Sequence, residues 1–261
     1  MKTQLIDIGI NLTHKQFDID RENIIDLAKK DNISPLIITG TNVRESKKAA
    51  SYAEKFPNEL FSTAGVHPHD AKTCNENTIN ELKKLTKKSC VCAIGECGLD
   101  YDRNFSPQDV QKKWFEEQIK LAEELDMPLF LHERAAYNDF KNILSKHKNI
   151  CEKSVVHCFT GTGVELQTYL KLGCYIGITG WICDERRGSH LRSLIKLIPL
   201  NKLMVETDAP FLIPRNIKTS NRRNEPIYLR HIVKDIAKCL NKSEEEIARI
   251  TTENAKTFFN I

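Results

Sequence analysis

Val91-Cys-Ala-Ile-Gly-Glu-Cys-Gly-Leu-Asp100 decides how the rest of the chain is read, because an apolar run ends abruptly in Gly95, a carboxylate at Glu96 and a second glycine at Gly98. Such a run predicts a buried parallel strand that stops at its polar tip. Solvation of a strand face does not explain a glutamate there, since both faces of a parallel sheet are covered. It stands at the mouth of the fold or it is buried at high cost. Capping the next helix, pairing with an arginine and ligating a metal are the three readings open to it. The third gains weight only if other strands also end in ligands.

Seven more apolar runs of strand length flank this one: Leu5 to Ile10, Pro35 to Thr39, Phe61 to Val66, Pro128 to Leu131, Ser154 to Val156, Cys174 to Ile178 and Leu203 to Val205. Between them lie charged segments of helix length, such as Arg21 to Asp31, Arg44 to Phe56, Asn77 to Lys88, Pro107 to Asp126 and Ala136 to His147, whose apolar positions recur at three and four residues. Ser106 is placed to cap the fourth of these, with Pro107 at its start and Trp114, Phe115, Ile119 and Ala122 toward the sheet. Alternation of strand and helix with no Ser/Gly/Pro-rich linker predicts the α/β class: one (β/α)8 TIM barrel of metal-dependent hydrolase type, a single domain over 1–261. A doubly wound open sheet is the alternative. Ser243 to Phe259 reads as two closing helices.

Composition narrows the setting. Of 261 residues, 28% are charged and 40% hydrophobic, an ordinary globular balance. Met1-Lys-Thr-Gln-Leu-Ile-Asp7 reaches an acidic residue too early for a signal peptide, and no apolar run has membrane-spanning length, so a cytoplasmic protein is expected. The nine cysteines include no Cys-x-x-Cys pair, and Cys90, Cys92, Cys158 and Cys174 sit in apolar runs, which predicts reduced core thiols. A net charge of +4 permits an anionic partner without demanding one.

In a barrel the functional residues belong at the carboxyl ends of the strands. Here those ends carry His67-Pro-His-Asp70, Glu96, His132-Glu-Arg134, His157 and Glu206-Thr-Asp208. Any one histidine at the edge of an apolar run is as readily a core residue as a ligand; their coincidence at equivalent ends is the signal. Glu96, His132 and His157 follow three neighbouring strands and could hold Mg²⁺, Mn²⁺ or Zn²⁺. Asp208 is placed to bind metal or to accept a proton from water, which makes metal-assisted hydrolysis the expected reaction class. Glu206 is assigned a structural role. His67 and His69 are either further ligands or substrate-orienting groups. Arg186 and Arg187 follow the seventh strand, and Arg215, Lys218, Arg222, Arg223 and Arg230 the eighth, opposed only by Glu225. They read either as a solvated face or as a phosphate-binding rim. Trp181, Tyr101 and Phe211 are candidates to stack on a base.

The chain resembles the TatD family of metal-dependent deoxyribonucleases. The resemblance is carried by Phe61-Ser-Thr-Ala-Gly-Val-His-Pro-His-Asp70, Ala93-Ile-Gly-Glu-Cys-Gly-Leu-Asp100, His157-Cys-Phe-Thr-Gly161, Tyr175-Ile-Gly-Ile-Thr-Gly-Trp181, Cys183-Asp-Glu-Arg-Arg-Gly188, Glu206-Thr-Asp-Ala-Pro210 and Arg222-Arg-Asn-Glu-Pro226. It implies a magnesium-dependent 3′-to-5′ exonuclease on single-stranded DNA and RNA, a cytoplasmic monomer with a part in repair after oxidative damage. By position it implies Glu96, His132 and His157 as metal ligands and Asp208 as the catalytic carboxylate, with Glu96 also catalytic. His67, His69, Arg134, Arg186, Arg187, Arg222 and Arg223 are the expected substrate contacts. Two departures matter. Many family members open with Asp-x-His-x-His, where this chain has Asp7-Ile-Gly-Ile-Asn11, so one firmly held ion is expected, with any second recruited by substrate phosphate. His132-Glu-Arg-Ala135 departs from the family's Cys and Asp at its second and fourth places, and Arg134 remains as a phosphate contact. A small-molecule amidohydrolase or lactonase on the same barrel, and a catalytically silent nucleic-acid-binding barrel, are the rival readings.

Overall fold

The computed structural model describes residues 2–186, 188–219 and 222–261. Eight parallel strands among them follow chain order in the sheet: β1 (Leu5–Ile10), β2 (Ile33–Ile38), β3 (Leu60–Ala64), β4 (Val91–Asp100), β5 (Leu129–Arg134), β6 (Ser154–Val156), β7 (Tyr175–Ile178) and β8 (Leu203–Val205). This is the strand order of a (β/α)8 barrel, and the fold class is α/β of TIM-barrel type. The helices are α1 (Arg21–Lys30), α2 (Val43–Ala53), α3 (Thr78–Leu85), α4 (Gln108–Leu125), α5 (Tyr137–Leu144), α6 (Lys148–Cys151), α7 (Gly163–Leu172), α8 (Ser189–Leu194), α9 (Leu229–Leu240) and α10 (Glu244–Phe259). No helix among the described residues is long and apolar enough to cross a membrane. Among the described residues the nine cysteines form no disulfide.

The chain divides into two compact units, one of Met1–Ile38, Cys158–Gly163 and Ile176–Ile261, the other of Thr39–His157 and Val164–Tyr175. In the first, β1 pairs with β2 and β7 with β8. The ends of β8 and β1 are joined by the Asp208 N–H on the Gly9 carbonyl and the Asn11 N–H on the Ala209 carbonyl, at 2.8 and 2.7 Å. Leu5, Ile6, Ile8 and Ile10 are buried on both faces of β1, as a continuous apolar run in a covered sheet requires. The terminal stretch is a single helix, α10, capped by Ser243 accepting from the Glu246 N–H, where two helices were expected.

In the second unit β3 to β6 pair in sequence, each parallel to the next. Its decisive element is β4, which does not stop at Gly95 but runs on to Asp100. Gly95 pairs with Phe130 and Cys97 with Leu131, so Glu96 is the extra residue of a β-bulge inside the strand rather than a residue at its tip. Two glycines make this possible. Gly95 has φ +140° and Gly98 φ +146°, and a Cβ would meet the Phe130 carbonyl oxygen at 2.3 Å or the His132 carbonyl oxygen at 1.9 Å. β5 likewise continues through His132 to Arg134, keeping His132 on regular strand geometry. Beyond β4, Phe115, Ile119 and Ala122 of α4 are buried as their spacing predicts, whereas Trp114, expected with them, is only partly buried. Ser106 is not the side-chain cap of α4. It is fully buried, donates to the His69 carbonyl at 2.8 Å and accepts from the Lys72 N–H, bracing the loop that carries His67 and His69.

Candidate metal centre

One carboxylate oxygen collects three imidazoles. Glu96 Oε1 lies 2.8 Å from His132 Nδ1, 2.7 Å from His157 Nε2 and 3.3 Å from His67 Nε2. The four residues come from the bulge in β4, from β5, from the residue after β6 and from the loop after β3, so adjacent strands supply them all. Glu96 is 6% exposed and His157 5%. Burial works to raise the Glu96 carboxyl, but the charge of His157, that of His67 once its ring is protonated below about pH 4, and the hydrogen bonds from His132 and His157 hold it well below the usual range.

A second carboxylate stands behind the first. Asp100, four residues along β4, faces His132 Nε2 at 3.3 Å and His69 Nε2 at 2.8 Å, and accepts from the Arg103 N–H at 2.8 Å. Burial opposes its charge, yet the bonds from His132 and His69 keep it ionised far below the ordinary carboxylate range. Both nitrogens of His132 therefore point at carboxylates. Burial alone would depress this ring, but Asp100 and Glu96 outweigh it and raise its pKa above the ordinary value, so the imidazolium bridges the two acids.

The ring roles separate on hydrogen-bonding grounds. His67 Nδ1 accepts from the His69 N–H at 3.0 Å, which places the proton of the neutral ring on Nε2, toward Glu96. Burial, only partly offset by Glu96, drives the His67 pKa down to about 4 and keeps the ring neutral. His67, Glu96 and His132 offer ligand atoms within 4.8 Å of one another, close enough to share an ion. On the tautomer argument, though, His67 presents a donor rather than a lone pair. His132 is suited to ligation: with Asp100 holding Nε2–H, loss of the Nδ1 proton aims a lone pair at the place where Glu96 Oε1 and His157 Nε2 converge. A carboxylate behind a histidine ligand is the usual outer partner of a bound metal. Oxygen and nitrogen donors trained on one point, held in register by protons, fit a divalent cation.

In the other unit, Asp208 follows β8 in a left-handed conformation, φ +54°. Asn11 Nδ2 donates to its Oδ1 at 2.8 Å, so Asn11 orients this carboxylate. The turn is held by the fully buried Asp7, which accepts from both the N–H and the hydroxyl of Thr207, and burial pushes the Asp7 carboxyl up to about 7. Glu206, fully buried, accepts from the Cys158 N–H at 2.6 Å, consistent with the structural role expected of it.

The expected phosphate contacts scatter. Arg134 Nε pairs with Asp102 at 3.0 Å and stays half-exposed. Arg186 and Arg222 are exposed; Arg187 lies outside the described residues. Arg223 is committed elsewhere: it forks onto Asp20 at 2.9 and 2.7 Å, reaches Glu225 at 2.7 Å and the Gln16 carbonyl at 2.6 Å, and lies over the Phe17 ring. Glu225 is thus not the sole acid opposing this run, and sequence distance hid Asp20. Arg230 pairs with Asp31 and the Thr3 carbonyl, by the N-terminal ends of β2 and β1 and away from the strand tips. Tyr101 donates to Asp139 at 2.7 Å. Asp100 was missed, although Glu96, Gly98 and Asp100 at alternate positions were the signal for a shared face.

A family model described as TatD related DNase matches residues 6–260. A protein from Rahnella named 3′-5′ ssDNA/RNA exonuclease TatD is 48% identical over 257 residues, covering 98% of both chains. One of the same name from Pectobacterium parmentieri is 46% identical over 259 residues, covering 98% of this chain and all of its own. The crystal structure of a TatD homologue from Escherichia coli K12 superposes with a TM-score of 0.92 at 25% identity, over the full length of both chains.

Proposed function

Because the chain belongs to the family of TatD-related DNases, we propose that it is a divalent-cation-dependent 3′-to-5′ exonuclease that hydrolyses phosphodiester bonds of single-stranded DNA and RNA. The observation that carries the proposal is the convergence of His132 and His157 on Glu96 Oε1 with Asp100 behind. Glu96, His132 and His157 would hold the cation. Mg²⁺ is the ion the family resemblance implies, and Mn²⁺ or Zn²⁺ would bind the same imidazole-rich set more tightly. When bound, such an ion supplies Lewis-acid polarisation of the phosphate and of the attacking water.

The remaining steps fall to the chain's own residues. Asp208, oriented by the Asn11 amide, accepts the proton of the attacking water. His67 presents Nε2–H as a donor to a phosphate oxygen, and His69, held by Asp100, supports it. Arg134, Arg186 and Arg222 meet the charge that grows on the phosphate oxygens. Arg223 is left out, since its guanidinium braces Asp20 and Glu225. A cytoplasmic monomer with a part in repair of oxidative DNA damage is the setting that the resemblance implies.

The test is a parallel assay of single-stranded DNA, RNA, duplex DNA and an aryl lactone, each with Mg²⁺ or EDTA. Mg²⁺-dependent loss of the single strands supports the proposal. Turnover of the lactone with all strands intact overturns it in favour of a small-molecule hydrolase.

A further inference from the structure

Beyond the ends of β7 and β8 lies a cavity of about 790 Å³, of whose lining the reaction described above uses only Arg222. Its volume falls within the roughly 300–1,000 Å³ of small-ligand sites. Two aromatic residues line it, Trp181 and Phe211, together with Arg215, Lys218, Arg222 and the buried acid Asp184. Phe211 is 46% exposed, an unusual state for a phenylalanine.

The walls are fixed by the backbone. Gly180 packs so closely that a Cβ would lie 2.3 Å from the Leu212 carbonyl oxygen, which locks the Trp181 segment against the segment after Phe211. Gly188 is in the same position, with a Cβ 1.8 Å from the Trp181 carbonyl oxygen. Phe211 is tied in turn to the candidate base, its N–H donating to the Asp208 carbonyl at 3.0 Å. His14 meets the Phe211 ring edge-on, with ring centroids 5.4 Å apart.

We propose that this cavity is a stacking site for one unpaired nucleobase of the strand, with Trp181 and Phe211 supplying the ring faces and Arg215, Lys218 and Arg222 taking the adjoining phosphates. Aromatic faces accept any base, and three cations at the same wall match the charge of the backbone that carries it. A base inside a duplex keeps its faces covered, so the site selects single strands. Asp184 stands among these cations, 3.9 Å from Arg215 Nε, and its Oδ1 accepts from the Arg186 N–H at 2.9 Å. The inference rests on the exonuclease reading for the identity of the polymer.

The experiment measures binding in EDTA, where the strand is not consumed, by fluorescence anisotropy of a labelled oligothymidylate and of the same oligomer made abasic. Wild-type protein is expected to bind the base-bearing strand roughly ten- to hundredfold more tightly, the range for loss of one stacked base. Phe211→Ala and Trp181→Ala bring that ratio toward one, and Phe211→Tyr retains it. Truncating the half-exposed Phe211 opens no core cavity, so that variant reports even where Trp181→Ala fails to fold. A ratio near one in the wild type, or a ratio unchanged in Phe211→Ala, overturns the stacking site. Strand loss in Mg²⁺, scored separately, reports on the exonuclease reading: cleavage without base-dependent binding removes only the stacking site, and base-dependent binding without cleavage removes only the nuclease.

Discussion

His132 Nδ1 lies 2.8 Å from Glu96 Oε1, and the proton in that contact occupies the place a cation would take. His132 is held charged by Asp100 and Glu96 against the effect of burial. Cation binding must therefore release a proton, and affinity is predicted to rise with pH as His132 gives up its proton. Calorimetry with Mn²⁺ in buffers of different ionisation enthalpy measures both; one tight site with proton uptake by the buffer is expected. Affinity that is flat with pH would contradict the exchange, and two tight sites without nucleic acid would contradict the loss of ligands at Gly9 and Asn11.

The same groups set the stability of the protein in EDTA. His132 is raised, so its contribution is complete below its ordinary value of 6.5 and is lost as pH rises through the folded value. Glu96 and Asp100 are depressed, so theirs is present above their ordinary values of 4.5 and 3.8 and is lost as pH falls through the folded ones. Asp7, raised from 3.8 to about 7, contributes stability that is complete below 3.8 and is lost as pH rises toward 7, which draws the optimum to its acid end. Scanning calorimetry is predicted to place the highest Tm between about pH 4.5 and 6.5, with saturating Mn²⁺ lifting the alkaline side most.

Asp100→Asn keeps the shape of the residue and removes the charge that orients His132. Cation affinity is predicted to fall about 10–100-fold, the usual effect of losing an outer carboxylate. Titration with Mn²⁺ followed by electron paramagnetic resonance checks this. Unchanged affinity would detach Asp100 from the centre.

Asn11→Ala deletes the donor 2.8 Å from Asp208 Oδ1. A carboxylate that loses such a bond becomes harder to ionise, so the acid limb of the pH–rate profile is predicted to move to higher pH. kcat should fall about tenfold with little change in KM, a fraction of what general-base catalysis supplies. A profile that keeps its position would assign Asn11 to the fold alone.

How far the sequence carries can be judged on β4. The apolar run, the flanking glycines and the helices between strands made the barrel legible, because period and length are local properties. The residues of the candidate centre were legible too, since Glu96, His132 and His157 each follow an apolar run. The bulge was not: it depends on which residue of β5 faces Gly95, a non-local pairing. Asp100 and Asp20 were hidden for the same reason, one behind His132 and the other across the chain from Arg223. Ser106 looked like a cap because its spacing from α4 was right, while its hydroxyl had a better partner in the His69 carbonyl.

Gly98→Ala tests the bulge without touching a polar group. A side chain at φ +146°, 1.9 Å from the His132 carbonyl oxygen, forces β4 and β5 apart. A destabilisation of at least about 2–3 kcal/mol is expected from the backbone strain and the clash together. Urea unfolding measures it, and a loss below about 0.5 kcal/mol, typical of a neutral surface site, would contradict the strained geometry.

In the proposed mechanism Glu96 organises the cation on which cleavage depends. The most direct test of this is digestion of a single-stranded DNA oligonucleotide labelled at the 5′ end, by wild type and Glu96→Gln, in Mg²⁺ and in EDTA. A ladder shortening from the 3′ end is expected only for wild type in Mg²⁺, with Glu96→Gln folded, as judged by circular dichroism, and inert. A Glu96→Gln protein that shortens the strand at the wild-type rate would contradict it.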